Sequence, residues 1–205
     1  MLRNADQYRA GLRDGRRVIY RGRPVPDVTA DPELRVAVDH SALCYQITEL
    51  QPELAVARDD DGEYSAFFRI PRTREDLVRR GRLIEEVSRL GAGTIVLKEV
   101  GSDALFALLR ATSGEGLENA RAFYRHCRDG DLALAVAQTD VKGDRAVPPH
   151  AQRDPDLYLR IVDEDADSIT VRGAKCHTSF SANADELVVL PTRAMGPDDA
   201  DYAVS

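Results

Sequence analysis

The chain reads as an α+β protein, and two observations predict it. Over roughly the first 130 residues apolar side chains recur at helical intervals, and from Gly130 onward short apolar runs alternate with period two. With 43% hydrophobic and 31% charged residues, the composition is that of a chain that folds around a core. The change at Gly130 divides the expected organisation into a mostly helical domain over 1–130 and a β-domain over 131–205.

Asn4 to Leu12 has the capping chemistry and spacing of a short helix. DGRRVIYRGRPVPDVT, Asp14 to Thr29, follows as a short strand pair, broken by Asp14-Gly15 and Gly22 and closed by prolines. From Asp31 to about Leu50, Leu34, Val36, Val38, Leu43, Ile47 and Leu50 keep helical spacing. Asp31 stands where an N-cap carboxylate belongs, Pro32 suits the first helical position, and Pro52 lies past the end. RDDDGEYSAFFRIPRT, Arg58 to Thr73, breaks the pattern with an acidic turn at Gly62 and a stop at Pro71. A second helix carries Leu77, Leu83, Ile84, Val87 and Leu90 on one stripe and ends at Gly91. A third apolar-rich stretch runs from about Ser102 to Cys127, with a helix break permitted at Gly114 and Gly116.

In the last part, LALAVAQTD (Leu132 to Asp140), LYLRIVDE (Leu157 to Glu164), SITVRGA (Ser168 to Ala174) and ELVVLPT (Glu186 to Thr192) read as strands, with an acidic turn from Asp163 to Asp167. Tyr202 to Val204 reads as the start of another. A sheet of three or four such strands has an unprotected edge, so the chain is expected to be incomplete as a functional unit.

Lys and Arg number 28 against 35 Asp and Glu, a net charge of −7 that repels nucleic acid and anionic membrane surfaces. No stretch approaches the ~18 apolar residues of a membrane span, and the N-terminus lacks the apolar core of a secretory signal. A cytoplasmic protein is expected. Cys44, Cys127 and Cys176 are too few and too far apart for a disulfide framework or a paired-cysteine metal site, and no metal is expected.

The strongest chemical signal is QTDVKGDR, Gln138 to Arg145, which follows an apolar strand directly. Such a loop offers a ligand the Thr139 hydroxyl, backbone N–H groups around Gly143, and the cations of Lys142 and Arg145. Its plain alternative is a solvated hairpin turn with a local Lys/Asp pair. RGAKCHTSFSANADE, Arg172 to Glu186, gathers Lys175, Cys176, His177, Thr178, Ser179 and Asn183 after a strand. His177 reads equally as a hydrogen-bonded structural histidine and Cys176 as a small buried apolar residue.

These strings, with QRDPDLYLRIVDE (Gln152 to Glu164), ITVRGAKCHTSFSANADELVVLPTRAM (Ile169 to Met195) and DDADYAVS, resemble the 4-hydroxyphenylacetate 3-hydroxylase family, which includes the 4-hydroxybutyryl-CoA dehydratases. YRAGLRDGRRVIYRGRPVPDVTADPELR, Tyr8 to Arg35, is similar to the family's opening segment. The resemblance implies an acyl-CoA-dehydrogenase-like architecture: an N-terminal helical domain, a central β-domain, and a C-terminal helical bundle that this sequence does not contain. It implies FAD as cofactor, with Gln138, Thr139 and Asp140 beside the flavin ring, Asp144 and Arg145 continuing the flavin and substrate loop, and Thr178 at a later flavin contact. Thr139 and Thr178 are donors of the kind a flavin ring edge needs, where negative charge develops on reduction.

Departures from the family sharpen the expectation. The resemblance places a histidine of the hydroxylases where this chain has Gln138, and an Arg and a Tyr within the segment LKEVGSDAL, Leu97 to Leu105, which has neither. Ile95 and Glu99 stand roughly where the dehydratases carry cysteines for an iron–sulfur cluster, and neither supplies a thiolate. The leading expectation is the oxygenase component of a two-component monooxygenase. It would use reduced FAD from a separate flavin reductase and act on a phenolic or carrier-bound substrate, with Arg145 orienting an anionic group and Gln138 offering a hydrogen bond. The alternatives are a cluster-less flavin-dependent acyl-CoA dehydratase or isomerase, and a truncated, non-catalytic chain that needs a C-terminal partner. A homo-oligomer is compatible with each.

Overall fold

The computed structural model describes every residue except Val96. Two compact units emerge: Met1–Leu134 with Ala182–Glu186, and Ala135–Ser181 with Leu187–Ser205. The fold is α+β, with six α-helices and eight short strands among the described residues.

In the first unit, α1 (Ala5–Gly11) starts on a reciprocal cap: the Asn4 side chain accepts from the Gln7 N–H, and the Gln7 side chain accepts from the Asn4 N–H. β1 (Val18–Tyr20) and β2 (Arg23–Val25) form the expected hairpin, turning through Arg21 and Gly22 at positive φ. α2 (Leu34–Leu50) follows Asp31, whose Oδ1 accepts from the N–H groups of Glu33 at 3.0 Å and Leu34 at 3.1 Å. The carboxylate thus does the capping work assigned to it, at the turn that precedes the regular helix.

The segment expected only as a break is more ordered than its composition suggests. A single turn, α3 (Pro52–Ala55), leads into a hairpin of β3 (Val56–Asp59) and β4 (Gly62–Ser65), and a 3₁₀ turn then buries Phe67 and Phe68. Strands this short give too few alternations to be seen by periodicity. α4 (Arg74–Leu90) begins on a Thr73–Asp76 capping box. α5 (Leu97–Ala111) starts at Leu97, not at Ser102, and α6 (Gly114–Asp129) completes the set. The early start was hidden by Lys98, a charge placed on a buried face. Its Nζ lies 2.5 Å from Asp131 Oδ1 and 3.6 Å from the centroid of the Tyr45 ring, a pairing no local pattern announces.

Around that pair the core is built from Tyr8, stacked on Tyr45 with ring centroids 4.6 Å apart, together with Ile47, Phe67, Leu83 and Leu105. Residues 182–186 belong here because they are tied down by long-range bonds. Tyr8 Oη donates to Asn183 O at 2.7 Å, Arg16 Nη1 donates to Ala182 O and Ala184 O, and Arg3 pairs with Asp185 at 2.8 Å.

The remaining strands are β5 (Leu134–Ala137), β6 (Arg160–Glu164), β7 (Ile169–Arg172) and β8 (Glu186–Val189). They form two separate two-stranded sheets, β5 with β8 and the antiparallel pair of β6 with β7, in place of the single sheet of three or four strands expected. The turn between β6 and β7 is set by the Asp165 carboxylate, which accepts from the N–H groups of Asp167 and Ser168. Tyr202 to Val204 begins no strand. Pro197–Tyr202 is a 3₁₀ segment whose start is fixed by the Gly196 N–H donating to Asp199 Oδ2 at 3.0 Å, and Tyr202 and Val204 are buried as single anchors. No helix among the described residues is long and apolar enough to cross a membrane.

Candidate functional site

The second unit carries the residues singled out for ligand chemistry apart from Asn183, which belongs to the first unit. β5 ends at Ala137, and the chain then runs through Gln138 and Thr139 into Asp140. A short antiparallel contact, Asp140 with Lys175, and a bond from the Cys176 N–H to Thr139 O at 2.9 Å lay Lys175 and Cys176 alongside Thr139 and Asp140. The structure therefore sets the stretch Gln138–Asp140 beside the start of the stretch that leads to Thr178.

Their environments differ, and the differences assign them different work. The Gln138 side chain is exposed and Thr139 is half-buried. Asp140 is 2% exposed and its carboxylate is already committed, accepting from Lys175 Nζ at 2.9 Å and from the Leu159 N–H at 3.0 Å. Lys175 Nζ also donates to Gln138 O at 3.2 Å and Leu190 O at 2.9 Å, so one ammonium ties three stretches of backbone. The Thr178 hydroxyl is the opposite case: Oγ1 is buried and has no hydrogen-bond partner among the described residues. It sits in a turn where His177 and Phe180 both adopt positive φ, 57° and 63°. Non-glycine residues held there mark a backbone fixed by its surroundings.

Asp144 and Arg145 lie further along, at the exposed tip of the loop. The Asp144 carboxylate is turned inward on the chain, accepting from the Ala146 N–H at 2.9 Å, and no ion pair of Arg145 is found among the described residues. The tip is held by Gln152, a residue that local spacing does not mark. Its Oε1 accepts from the Asp144 N–H at 3.0 Å, and its Nε2 donates to Asp144 O at 2.7 Å and Val147 O at 3.2 Å. Gly143, at φ 47°, passes beneath this amide so closely that a Cβ there would lie 2.4 Å from Gln152 Oε1 and 2.5 Å from Leu157 Cδ1. His150, also unassigned, is oriented by a buried carboxylate: Nδ1 lies 2.8 Å from Asp199 Oδ1, and the His150 N–H donates to the same oxygen. Burial works against the Asp199 charge, yet the N–H groups of Gly196 and His150 and the His150 ring hold its carboxyl below the usual range. Neither Gln152 nor Asp199 had a signal in local spacing, because each acts on a segment distant in the chain.

Cys176 is half-buried, with Sγ 3.4 Å from Asp140 O, and His177 is exposed. Among the described residues no group of three or more His, Cys, Asp or Glu is placed to hold a metal ion. What these segments offer is one desolvated hydroxyl without a partner among the described residues, a second hydroxyl and an amide at the end of β5, and an exposed guanidinium on a clamped loop. Such a set binds a polar ring edge and an anionic group by directed hydrogen bonds.

Comparison with known proteins gives the same loop a context. The N-terminal region of 4-hydroxyphenylacetate 3-hydroxylase matches residues 4–205. The 4-hydroxybutyryl-CoA dehydratase/vinylacetyl-CoA-Δ-isomerase of Clostridium aminobutyricum is 31% identical over 100% of this chain and 44% of its own length. The 4-hydroxyphenylacetate 3-monooxygenase oxygenase component of Thermus thermophilus is 30% identical over 91% of this chain and 40% of its own. Among solved structures, an oxygen-tolerant archaeal 4-hydroxybutyryl-CoA dehydratase from N. maritimus superposes with a TM-score of 0.90 at 28% identity, covering 99% of this chain and 42% of that one. The oxygenase component of 4-hydroxyphenylacetate 3-monooxygenase, complexed with FAD and 4-hydroxyphenylacetate, gives 0.84 at 30% identity over 98% and 44%. The chain spans less than half the length of these relatives. Matched almost from end to end, in sequence and in fold, it belongs to the 4-hydroxyphenylacetate 3-hydroxylase family.

Proposed function

We propose that this chain forms the flavin-contacting N-terminal part of an oxygenase component, with an acyl-CoA-dehydrogenase-like architecture, that works with reduced FAD from a separate flavin reductase on a phenolic or related aromatic substrate. The observation that carries the reading is the buried Thr178 hydroxyl, which has no hydrogen-bond partner among the described residues. A desolvated donor without an acceptor is costly in a native fold, and a flavin ring edge is an acceptor of the right kind. Relatives about 30% identical, solved with FAD bound, support the assignment.

In this reading Thr178 and Thr139 donate to the polar edge of the flavin, and Gln138 offers its amide at the end of β5 where a substrate oxygen approaches. Bound reduced FAD supplies the electrons with which oxygen is activated. Asp140 makes no direct contact: neutralised by Lys175, it fixes the backbone from which Thr139 and Thr178 project. Arg145, on the loop clamped by Gln152, orients an anionic group of substrate or cofactor.

A second reading rests on a specific observation, the higher TM-score with the archaeal dehydratase, 0.90 against 0.84. With Ile95 and Glu99 in the segment where the resemblance expects thiolates, it would be a cluster-free dehydratase or isomerase of an acyl-CoA. Anaerobic titration with oxidised and photoreduced FAD tests the shared premise. Binding of the reduced form at about 10 μM or tighter supports it, and no binding of either form at tens of micromolar overturns a self-sufficient flavin site. Oxygen uptake that depends on an added reductase and a simple phenol then separates oxygenase from dehydratase, which turns over without consuming oxygen.

A further inference from the structure

The cleft between the β3–β4 hairpin and α4 gathers positive charge in a chain whose net charge is −7. It measures about 480 Å³ and is lined by Arg58, Arg69 and Arg79, with Glu63 as the one carboxylate among the described residues on its walls. Pro52 and Val56 give it an apolar side. Small-molecule sites run from about 300 to 1,000 Å³, and cations gathered in a concavity attract an anion more strongly than the same cations spread over a flat surface.

Each arginine arrives from a different element and keeps donors to spare. Arg58, on β3, pairs across the hairpin with Glu63, its register partner, and its side chain is 77% exposed. Arg69 follows the 3₁₀ turn and lies 2.7 Å from Asp76 Oδ1. Asp76 divides its charge, because Oδ2 also accepts from the N–H groups of Arg72 and Thr73 at the start of α4. Arg79, on α4, donates from Nη2 to Glu53 O at 2.7 Å and Val56 O at 3.0 Å, capping the end of α3. These acceptors are neutral, and Arg79 pairs with no carboxylate among the described residues. Its Nε is buried and has no hydrogen-bond partner among the described residues. A guanidinium carries five N–H donors, so the contacts of Arg79 leave its charge unopposed and one desolvated donor unmet, which is costly.

We propose that this cleft binds an organic phosphate monoester, with the phosphate among Arg58, Arg69 and Arg79 and the organic part against Pro52 and Val56. Forks from a strand, a turn and a helix suit a tetrahedral dianion with three free oxygens, whereas a planar carboxylate is satisfied by one fork. Every residue involved lies in the first unit, in segments to which the flavin reading gives no role. The two readings therefore stand or fall separately.

Titration of the full 205-residue chain with adenosine 5′-monophosphate, followed through the ¹H–¹⁵N signals of the arginine Nε–H groups, tests the site. Saturable shifts should appear at Arg58, Arg69 and Arg79 with a Kd of about 100 μM, inorganic phosphate should bind about tenfold more weakly, and adenosine should have no effect. Arg58→Gln and Arg69→Gln should each weaken binding about fivefold or more, while Glu63→Gln, which removes the competing carboxylate, should tighten it about twofold or more. Changes of opposite sign from neighbouring substitutions cannot come from misfolding. Arg17→Gln, which removes an exposed arginine outside the cleft, should leave the affinity within about twofold. Adenosine binding as tightly as its monophosphate, shifts spread evenly over arginines outside the cleft, or an affinity indifferent to both arginine substitutions overturns the proposal.

Discussion

Lys175 Nζ lies 2.9 Å from the Asp140 carboxylate, and the side chains are 10% and 2% exposed. The pair replaces water for both charges and joins the end of the β5 strand to the segment that carries Thr178. Removing one partner of such a pair strands the other in a desolvated place. Lys175→Met should therefore cost about 3 kcal/mol of stability. Adding Asp140→Asn should recover part of the loss, because the stranded charge is then gone. Urea denaturation measures both, and a Lys175→Met chain as stable as wild type would remove the pair from its positioning role.

Gly143 predicts a sharper local effect. Its φ of 47° and the 2.4 Å approach of a built Cβ to Gln152 Oε1 leave no room for even a methyl group. Gly143→Ala should break the Gln152 clamp on Asp144 and Val147, at a cost of about 1–3 kcal/mol. Arg145→Ala, at the exposed tip, should instead leave the clamp intact and stability within about 0.5 kcal/mol of wild type. Amide exchange at Asp144, whose N–H the clamp holds, distinguishes the two variants.

Alkaline pH should unfold the helical unit through its tyrosines. Tyr8, Tyr45 and Tyr124 donate their phenolic protons to the carbonyls of Asn183, Asp131 and Phe68. Burial pushes all three upward, Tyr124 to about 12, and Tyr8 and Tyr45 are likewise held above the ordinary phenol range. The folded chain therefore holds these protons more tightly than the unfolded one, which releases them near pH ~10. Stability from this source is complete below that pH and falls as pH rises through the folded values. In a phenolate absorbance titration of the seven tyrosines, these three should ionise only together with loss of helical circular dichroism. Seven phenols titrating near pH 10 in a folded chain would contradict the burial described above.

How much was legible in the sequence depended on whether the determining partner was local. The helix starts at Asn4 and Asp31 were readable because both bond to residues two or three positions away. The start of α5 was not, because Lys98 finds Asp131 across the fold and so looks like a surface charge. β3 and β4 were missed for want of length, and the expected strand at Tyr202 failed because two buried side chains at alternate positions mimic a strand with only a 3₁₀ segment behind them. At the site, the two strings carrying Gln138, Thr139, Asp140 and Thr178 were recognised, and the fold lays them side by side. Their supports, Gln152 and the His150–Asp199 pair, act across 8 and 49 positions of chain and left no periodic trace.

The buried Thr178 hydroxyl makes opposite demands on the empty and the loaded chain, and that opposition gives the most discriminating prediction. Thr178→Val keeps the shape and deletes an oxygen that has no partner among the described residues. In the chain alone the variant should be as stable as wild type or up to about 1 kcal/mol more so, since an unsatisfied buried polar atom is gone. If the hydroxyl serves the flavin, the same variant should bind FAD about tenfold more weakly, the worth of one desolvated hydrogen bond. Thr178→Ser should retain most of the affinity while losing stability through the missing methyl group. Thermal melts and fluorescence titrations read the two effects separately. A valine variant that loses stability and keeps its FAD affinity would make Thr178 a structural residue whose partner lies elsewhere.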